Sequence, residues 1–315
     1  MHGIETPHFR GVVGEFKEHF AAAVLAIIGM ETSPPQSSPS DPPLLKPHKA
    51  DIRLIAVDLD GTLLNSKKQV SEQTVQALKC LPARGIRVLI ASARPPRSVR
   101  PTYHALGLDT LQINYNGALI WKESDRSAIF HRPLKGSLAW QMIELARDQY
   151  DEVIVHCEVM DRWCTDRIDD AYTTETGRLF KPDAVGDLAT FCQSPITKLM
   201  FLGDPRIIAR LEPLLLQDFS EHVTIVKQSD ELLQIMDRRV SKAVALRKLA
   251  TFYEVPMEQV MAIGDAPNDV GMLQIAGVAI AMDNAHKVVK SVADWVAPSN
   301  DDHGVHAALV RYGLC

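Results

Sequence analysis

From Asp51 onward, short apolar runs alternate with helical stretches. The runs at 52–57, 86–91 and 111–114 read as buried strands, and the segments at roughly 71–82 and 97–106 read as the helices between them. This is the βαβ rhythm of a parallel sheet covered on both faces. The rhythm returns late in the chain, where "VMAIGD" (260–265) and "GVAIAM" (277–282) flank "NDVGMLQIA", a short helix. From about 121 to 236 lies a segment with helices of its own and its own strand runs, "EVIVHCEV", "ITKLMFLG" and "VTIVKQ". The pattern predicts an α/β core built from 51–120 and 237–315, interrupted by an inserted α/β domain at 121–236.

The first fifty residues follow a different pattern. The apolar run Phe20 to Met30 is too short to span a bilayer, and Glu15 and Glu18 mix with Lys17 ahead of it instead of forming a basic leader. Glu5, Glu15, Glu18 and Glu31 also argue against a transit peptide. Prolines and small polar residues then make 31–49 a flexible linker. Residues 1–30 read either as a loosely docked helix or as an extension ahead of a working start at Met30.

Candidate chemistry gathers at the strand ends, beyond which open parallel sheets bind ligands. The first strand, "RLIAV", runs into Asp58 and Asp60, with Gly61 letting the chain bend behind them. Extended geometry would turn both carboxylates toward one small volume, where they need a shared proton or a hard metal such as Mg2+. An Asx turn closing the strand is the other reading. The second strand ends in Ser92, followed by Arg94 and Pro95-Pro96. A hydroxyl and a guanidinium at such a turn suit phosphate oxygens, although Ser92 alone also suits an N-cap. Lys242 falls in the first turn of a helix behind Ser241, where the dipole disfavours a cation, so an anionic partner is expected. Finally "VMAIGD" delivers Asp265, and Asn268 and Asp269 open the next helix, where the dipole by itself would already favour an acid.

Composition narrows the partners. At 315 residues and 46% hydrophobic, the chain has material for a substantial core. A net charge of −5 without a basic stripe argues against nucleic acid. Five cysteines, odd in number and far apart, fit neither a disulfide framework nor a zinc site and suit a reducing cytoplasm. No membrane association is expected, and nothing in the sequence indicates an oligomeric state.

Asp/Asp, Ser, Lys and Asp/Asp at four strand ends, in that order, resemble the haloacid dehalogenase superfamily of phosphohydrolases. The resemblance covers residues 51–315 and rests on "DLDGTLL", "ASARPPRSV", "NYNGALI", "VSKAVAL", "GDAPNDVGML" and "AMDNAHKVVKSVADWV". It is closest to the Cof-type members, with a Rossmann-like core and a large α/β (class IIB) cap inserted between the second and third motifs. This likeness implies that Asp58 attacks phosphorus and that Asp60 protonates the leaving alcohol and later deprotonates water. It also implies Mg2+ held by the Asp58 carboxylate, the Asp60 backbone carbonyl and Asp265, with Asp269 nearby or acting through water. Ser92, Lys242 and Asn268 would hold the phosphoryl oxygens, and Arg94 and Asn116 would stand beside them. Lys198 competes for the lysine role but belongs to a cap strand. Ala93 and Asp283 stand where relatives commonly carry glycine, which raises the question of the backbone angles there.

The implied activity is a Mg2+-dependent phosphatase acting on small phosphorylated metabolites, sugar phosphates or cofactor phosphates, through an aspartyl phosphate. Phosphotransfer between sugar phosphates and non-catalytic metabolite binding are the alternatives. Within the cap, 157–178 carries aromatic and charged residues suited to selecting a leaving group. For Trp163 and Tyr172 ordinary packing within the cap is the favoured reading.

Overall fold

A computed structural model describes residues 51–315; the expectations for residues 1–50 lie outside the described residues. The first strand, β1 (Leu54–Val57), is buried at every position and pairs in parallel with β2 (Arg87–Ile90). Helix α1 (Glu72–Cys80) joins them, started by the Ser71 side chain accepting from the Thr74 N–H. After β2, α2 (Pro96–Ala105) begins at a proline whose fixed φ suits the first helical position.

The third predicted run is a strand, but it joins the parallel sheet only at its edge. Strand β3 (Gln112–Asn114) meets the parallel sheet through a single bridge, Ala91 to Ile113, and pairs antiparallel with β4 (Leu119–Lys122), which pairs in turn with β5 (Ser127–His131). A parallel return needs a crossover of a dozen residues or more, and the chain here reverses within a few. Tyr115, Asn116 and Gly117 make that reversal with three consecutive positive φ values of 49°, 55° and 102°.

Beyond β5 comes a six-stranded sheet. Helix α3 (Gly136–Gln149) leads to β6 (Ile154–Val159), β7 (Arg162–Thr165), β8 (Ala184–Val185) and β9 (Lys198–Leu202). Helix α4 (Pro205–Phe219) follows, then β10 (Val223–Ser229) and β11 (Leu232–Asp237), in the spatial order β10-β11-β9-β6-β7-β8. Alternation gives this sheet two different faces. Val155, Cys157, Leu199, Phe201, Leu233 and Ile235 form one apolar core with Met142 and Ile143 of α3 and Leu211 and Leu215 of α4. His156, Glu158, Lys198 and Met200 alternate with those core residues and are directly paired across β6 and β9, so they share the opposite face.

The chain then rejoins the parallel sheet through α5 (Lys242–Phe252), β12 (Val260–Gly264), α6 (Val270–Ile275), β13 (Val278–Met282) and β14 (Trp295–Ala297). The parallel order is β14-β13-β12-β1-β2. Strand β1 therefore lies between β12 and β2, so strand ends far apart in sequence meet at one edge. Among the described residues, no helix is long and apolar enough to cross a membrane.

Candidate active site

Parallel register sets Val57 beside Ile263, so Asp58 and Asp265 leave neighbouring strands side by side. Carboxylate oxygens of Asp58, Asp265 and Asp269 lie within 4.8 Å of one another. The Lys242 ammonium, buried at 1% exposure, bonds to Asp58 and, at 2.6 Å, to Asp269. The first-turn lysine thus has the anionic partner its position called for. Ser241 caps α5 by accepting from the Val244 N–H at 3.1 Å, so the lysine stands at a fixed helix start.

Asp269 is fixed by backbone as well. Its Oδ2 accepts from the N–H groups of Asp265 and Ala266, each at 3.0 Å, tying down the loop after β12. Thr62 Oγ1 donates to Asp265 Oδ1 at 2.7 Å. Gly61, at φ +79°, lies so close that a Cβ there would sit 2.3 Å from Asp265 Oδ2. Its carbonyl accepts from Asn284 Nδ2 at 2.7 Å.

Asp60 takes different partners from Asp58. Arg94 donates to it through Nε at 2.6 Å and through a terminal nitrogen at 2.5 Å, and Lys68 donates at 2.7 Å. Its side chain is 37% exposed, whereas Asp58 is buried. The expectation of two carboxylates turned into one volume assumed that extended geometry continues past Val57. The strand ends there, and the two carboxylates take different partners, Asp58 the Lys242 ammonium and Asp60 the Arg94 guanidinium.

Electrostatics differ accordingly. Burial pushes the Asp58 carboxyl well above its ordinary range; Lys242 pulls it back, while Asp269 and Asp265 add to the rise. Asp265 is raised for similar reasons, burial first and the Asp269 charge adding, with Thr62 opposing. For Asp60, burial works upward, but hydrogen bonds from Arg94 and Lys68 outweigh it and hold the carboxyl below its ordinary value. Burial works against the Lys242 ammonium, and the Asp58 and Asp269 charges more than offset it. If all three carboxyls are ionised, the Lys242 ammonium compensates only one of the three charges. An all-oxygen donor set with that charge fits a hard divalent cation of the Mg2+ or Ca2+ class.

The loop after β2 approaches from the other side. Ser92, almost fully buried, accepts from the Arg94 N–H at 3.1 Å, and its own N–H donates to the Ile113 carbonyl at 2.8 Å. Asn116 donates its N–H to the Ser92 carbonyl at 3.0 Å, and its Oδ1 accepts from Asn268 Nδ2 at 2.8 Å. Ser92, Asn116 and Asn268 are therefore joined across three strand-end loops. Neither Ala93 nor Asp283 takes a positive φ, so the replacement of glycine costs nothing in backbone strain at either position.

A cavity of about 470 Å³ opens between Asp60 and Arg94 on one side and the polar face of the six-stranded sheet on the other. From the 157–178 stretch, Glu158, Thr173, Thr174, Thr176 and Arg178 line it. Trp163 is buried 5.0 Å from the His156 ring, and Tyr172 packs beside Ile154, Met200 and Leu202, so both take packing roles. Sequence reasoning missed Thr62, Lys68 and Asn284 as supports, although Thr62 and Asn284 stand inside motifs quoted above. It also missed the end of the β10–β11 hairpin, where Gln228 of β10 and Glu231 of the turn line the cavity.

Comparison with known proteins agrees with this geometry. Residues 55–309 match the family of haloacid dehalogenase-like hydrolases. The chain is 30% identical over 266 residues to the 5-amino-6-(5-phospho-D-ribitylamino)uracil phosphatase YitU of Bacillus subtilis, covering 82% of this chain and 97% of that protein. A crystal structure of a haloacid dehalogenase-like hydrolase from Bacteroides thetaiotaomicron is similar with a TM-score of 0.75 at 28% identity, covering 82% of this chain and 99% of the other. The subclass IIB sugar phosphatase BT4131 shares the fold with a TM-score of 0.69 at 18% identity, over 84% of this chain and 100% of that one.

Proposed function

Because the chain belongs to the haloacid dehalogenase-like hydrolase family, we propose that it hydrolyses phosphate monoesters of small metabolites, sugar phosphates or cofactor phosphates, with Mg2+ and through an aspartyl phosphate on Asp58. The single observation that carries this reading is the cluster of Asp58, Asp265 and Asp269 around Lys242 at the carboxyl edge of the parallel sheet. Residues 51–120 and 237–315 form the catalytic core in this reading, and 121–236 form the cap that covers it.

An Asp58 oxygen attacks phosphorus, and the bond from phosphorus to the leaving oxygen breaks. When Arg94 exchanges the Asp60 oxygens for those of the phosphate, Asp60 can take up a proton and give it to that oxygen, so a neutral alcohol departs. Water then attacks the phosphorus of the aspartyl phosphate, Asp60 takes the water's proton, and inorganic phosphate leaves with the Asp58 carboxylate restored. The partner sets support this division of labour. Asp58 is held by Lys242 within the acidic cluster, whereas Asp60 stands at the cavity wall, where a leaving group would emerge.

Asp58, Asp265 and the Asp60 backbone carbonyl would hold the metal. Asp269 adds charge nearby while its Oδ2 serves the loop backbone. Bound there, a divalent cation neutralises charge between an anionic nucleophile and an anionic phosphate. Ser92, Arg94, Lys242, Asn268 and Asn116 border the place where the phosphoryl oxygens would lie. Arg94 would exchange one set of oxygens, those of Asp60, for another.

The test is phosphate release from p-nitrophenyl phosphate and from a panel of phosphorylated metabolites, with Mg2+ and with chelator. Release that depends on Mg2+ and disappears in Asp58→Asn is expected. An isomerised sugar phosphate without free phosphate would instead identify a mutase, and no turnover with retained ligand binding would identify a binding protein.

A further inference from the structure

Lys198 opens β9 on the polar face of the six-stranded sheet, lines the cavity and is 5% exposed. Its ammonium has no hydrogen-bond or ion-pair partner among the described residues. Its protein contact is the face of the Tyr115 ring, 5.1 Å away. Glu158, directly opposite on β6, is the natural counter-ion by position. That carboxylate is already engaged, however, by Arg97 and by Tyr115 Oη, the latter at 2.9 Å. Burial of the side chain lowers the Lys198 pKa, so an anion in the cavity would stabilise its charge. A second cation, Arg178, lines the same cavity and also lacks a side-chain partner among the described residues. Among the described residues no aromatic side chain lines this cavity, so none of them there is suited to stacking a flat ring.

We propose that Lys198 is a specificity-determining residue that receives an anionic oxygen on the leaving group, so that preferred substrates are phosphate monoesters carrying a second anionic group, a carboxylate or another phosphate. This inference rests on the phosphatase reading above for the place of the scissile phosphate. The ester phosphate sits at the core end of the cavity beside Asp60 and Arg94, and the second anion sits at the cap end against Lys198, with Arg178 adding charge. The Tyr115 ring keeps the ammonium in place between turnovers, and Arg97 keeps Glu158 from neutralising it.

Two matched pairs of ligands test this. 3-Phosphoglycerate and glycerol 3-phosphate differ only in a carboxylate against a hydroxymethyl group, and fructose 1,6-bisphosphate and fructose 6-phosphate differ in the second phosphate. Binding is read by calorimetry with the Asp58→Asn protein, and kcat/KM by phosphate release from the otherwise unaltered protein. The expected result is a preference of about tenfold or more for the anionic member of at least one pair, residing in KM and in Kd. The pair that responds identifies the carboxylate or the phosphate as the source. Lys198→Gln and Lys198→Met, each placed in both backgrounds, should bring that ratio close to one. Equal use of both members by the unaltered protein, or a preference that survives in both variants, overturns the inference and leaves the phosphatase reading intact. Lys198→Arg, which keeps the charge, should keep the preference, so its loss in Lys198→Gln and Lys198→Met is separated from a failure to fold. A Lys198-dependent binding preference with no phosphate released from any ester would sustain the inference and overturn the phosphatase reading.

Discussion

Lys242 occupies a helix position that ordinarily disfavours a cation, and it bonds two buried carboxylates. Removing one partner from a buried ion cluster leaves uncompensated charge, at a cost of about 3–5 kcal/mol. Lys242→Met should therefore lower the unfolding free energy read from urea denaturation by an amount of that order, and added Mg2+ should reduce the deficit. Activity separates the two aspartates of the first motif. Asp58→Asn should lower phosphate release by roughly 10⁴-fold or more, as expected when a nucleophile is removed. Asp60→Asn should lower kcat by about 10²- to 10⁴-fold, the range for general acid–base assistance, with the folded spectrum retained. Each of these residues was legible as a candidate from its place after a strand or at a helix start. The divergence of the Asp60 partners from those of Asp58 was not, because it follows from the turn at Gly61 and from arginine and lysine groups on other loops.

At the scale of elements, β6 presents an apolar face and a polar face, and one residue of the polar face reports on it. Burial, with the Lys198 charge adding, pushes the His156 imidazole down to about 3. Its Nδ1 has no partner, and the Trp163 ring of β7 lies against it. The unfolded chain takes up a proton near pH 6.5 while the folded chain stays neutral until about pH 3. The stability associated with a neutral His156 is therefore intact above about pH 6.5 and is lost as pH falls toward 3, by up to about 1.4 kcal/mol per unit. Urea midpoints measured at pH 7.5, 6 and 4.5 should decline over both steps, and His156→Met should flatten that decline. The strand runs of the inserted segment were readable from their apolar content. Strands β4, β5, β7, β8, β11 and β14 were missed, because their alternation is too short to stand out in the sequence.

For the whole molecule, the meeting of distant strand ends predicts a response to metal. If the acidic cluster binds Mg2+ only in the folded state, a concentration of about 100 times Kd adds about 2.7 kcal/mol and raises the apparent Tm by roughly 5 °C. Chelator should reverse the rise, and Asp265→Asn should abolish most of it. An unchanged transition across the Mg2+ range would count against the cluster as a metal site.

The sequence alone determined the alternation of strands and helices, the polar residues at strand ends and the interruption of the core, since period, capping and chain reversal act over a few neighbouring residues. The tertiary structure decided that Lys242 reaches Asp58 across 184 positions, that Asp60 turns to Arg94, and that Lys198 is left beside a counter-ion already engaged by Arg97. Coulomb forces and hydrogen bonds depend on distance in space, and those distances exist only once the order of strands in each sheet is set.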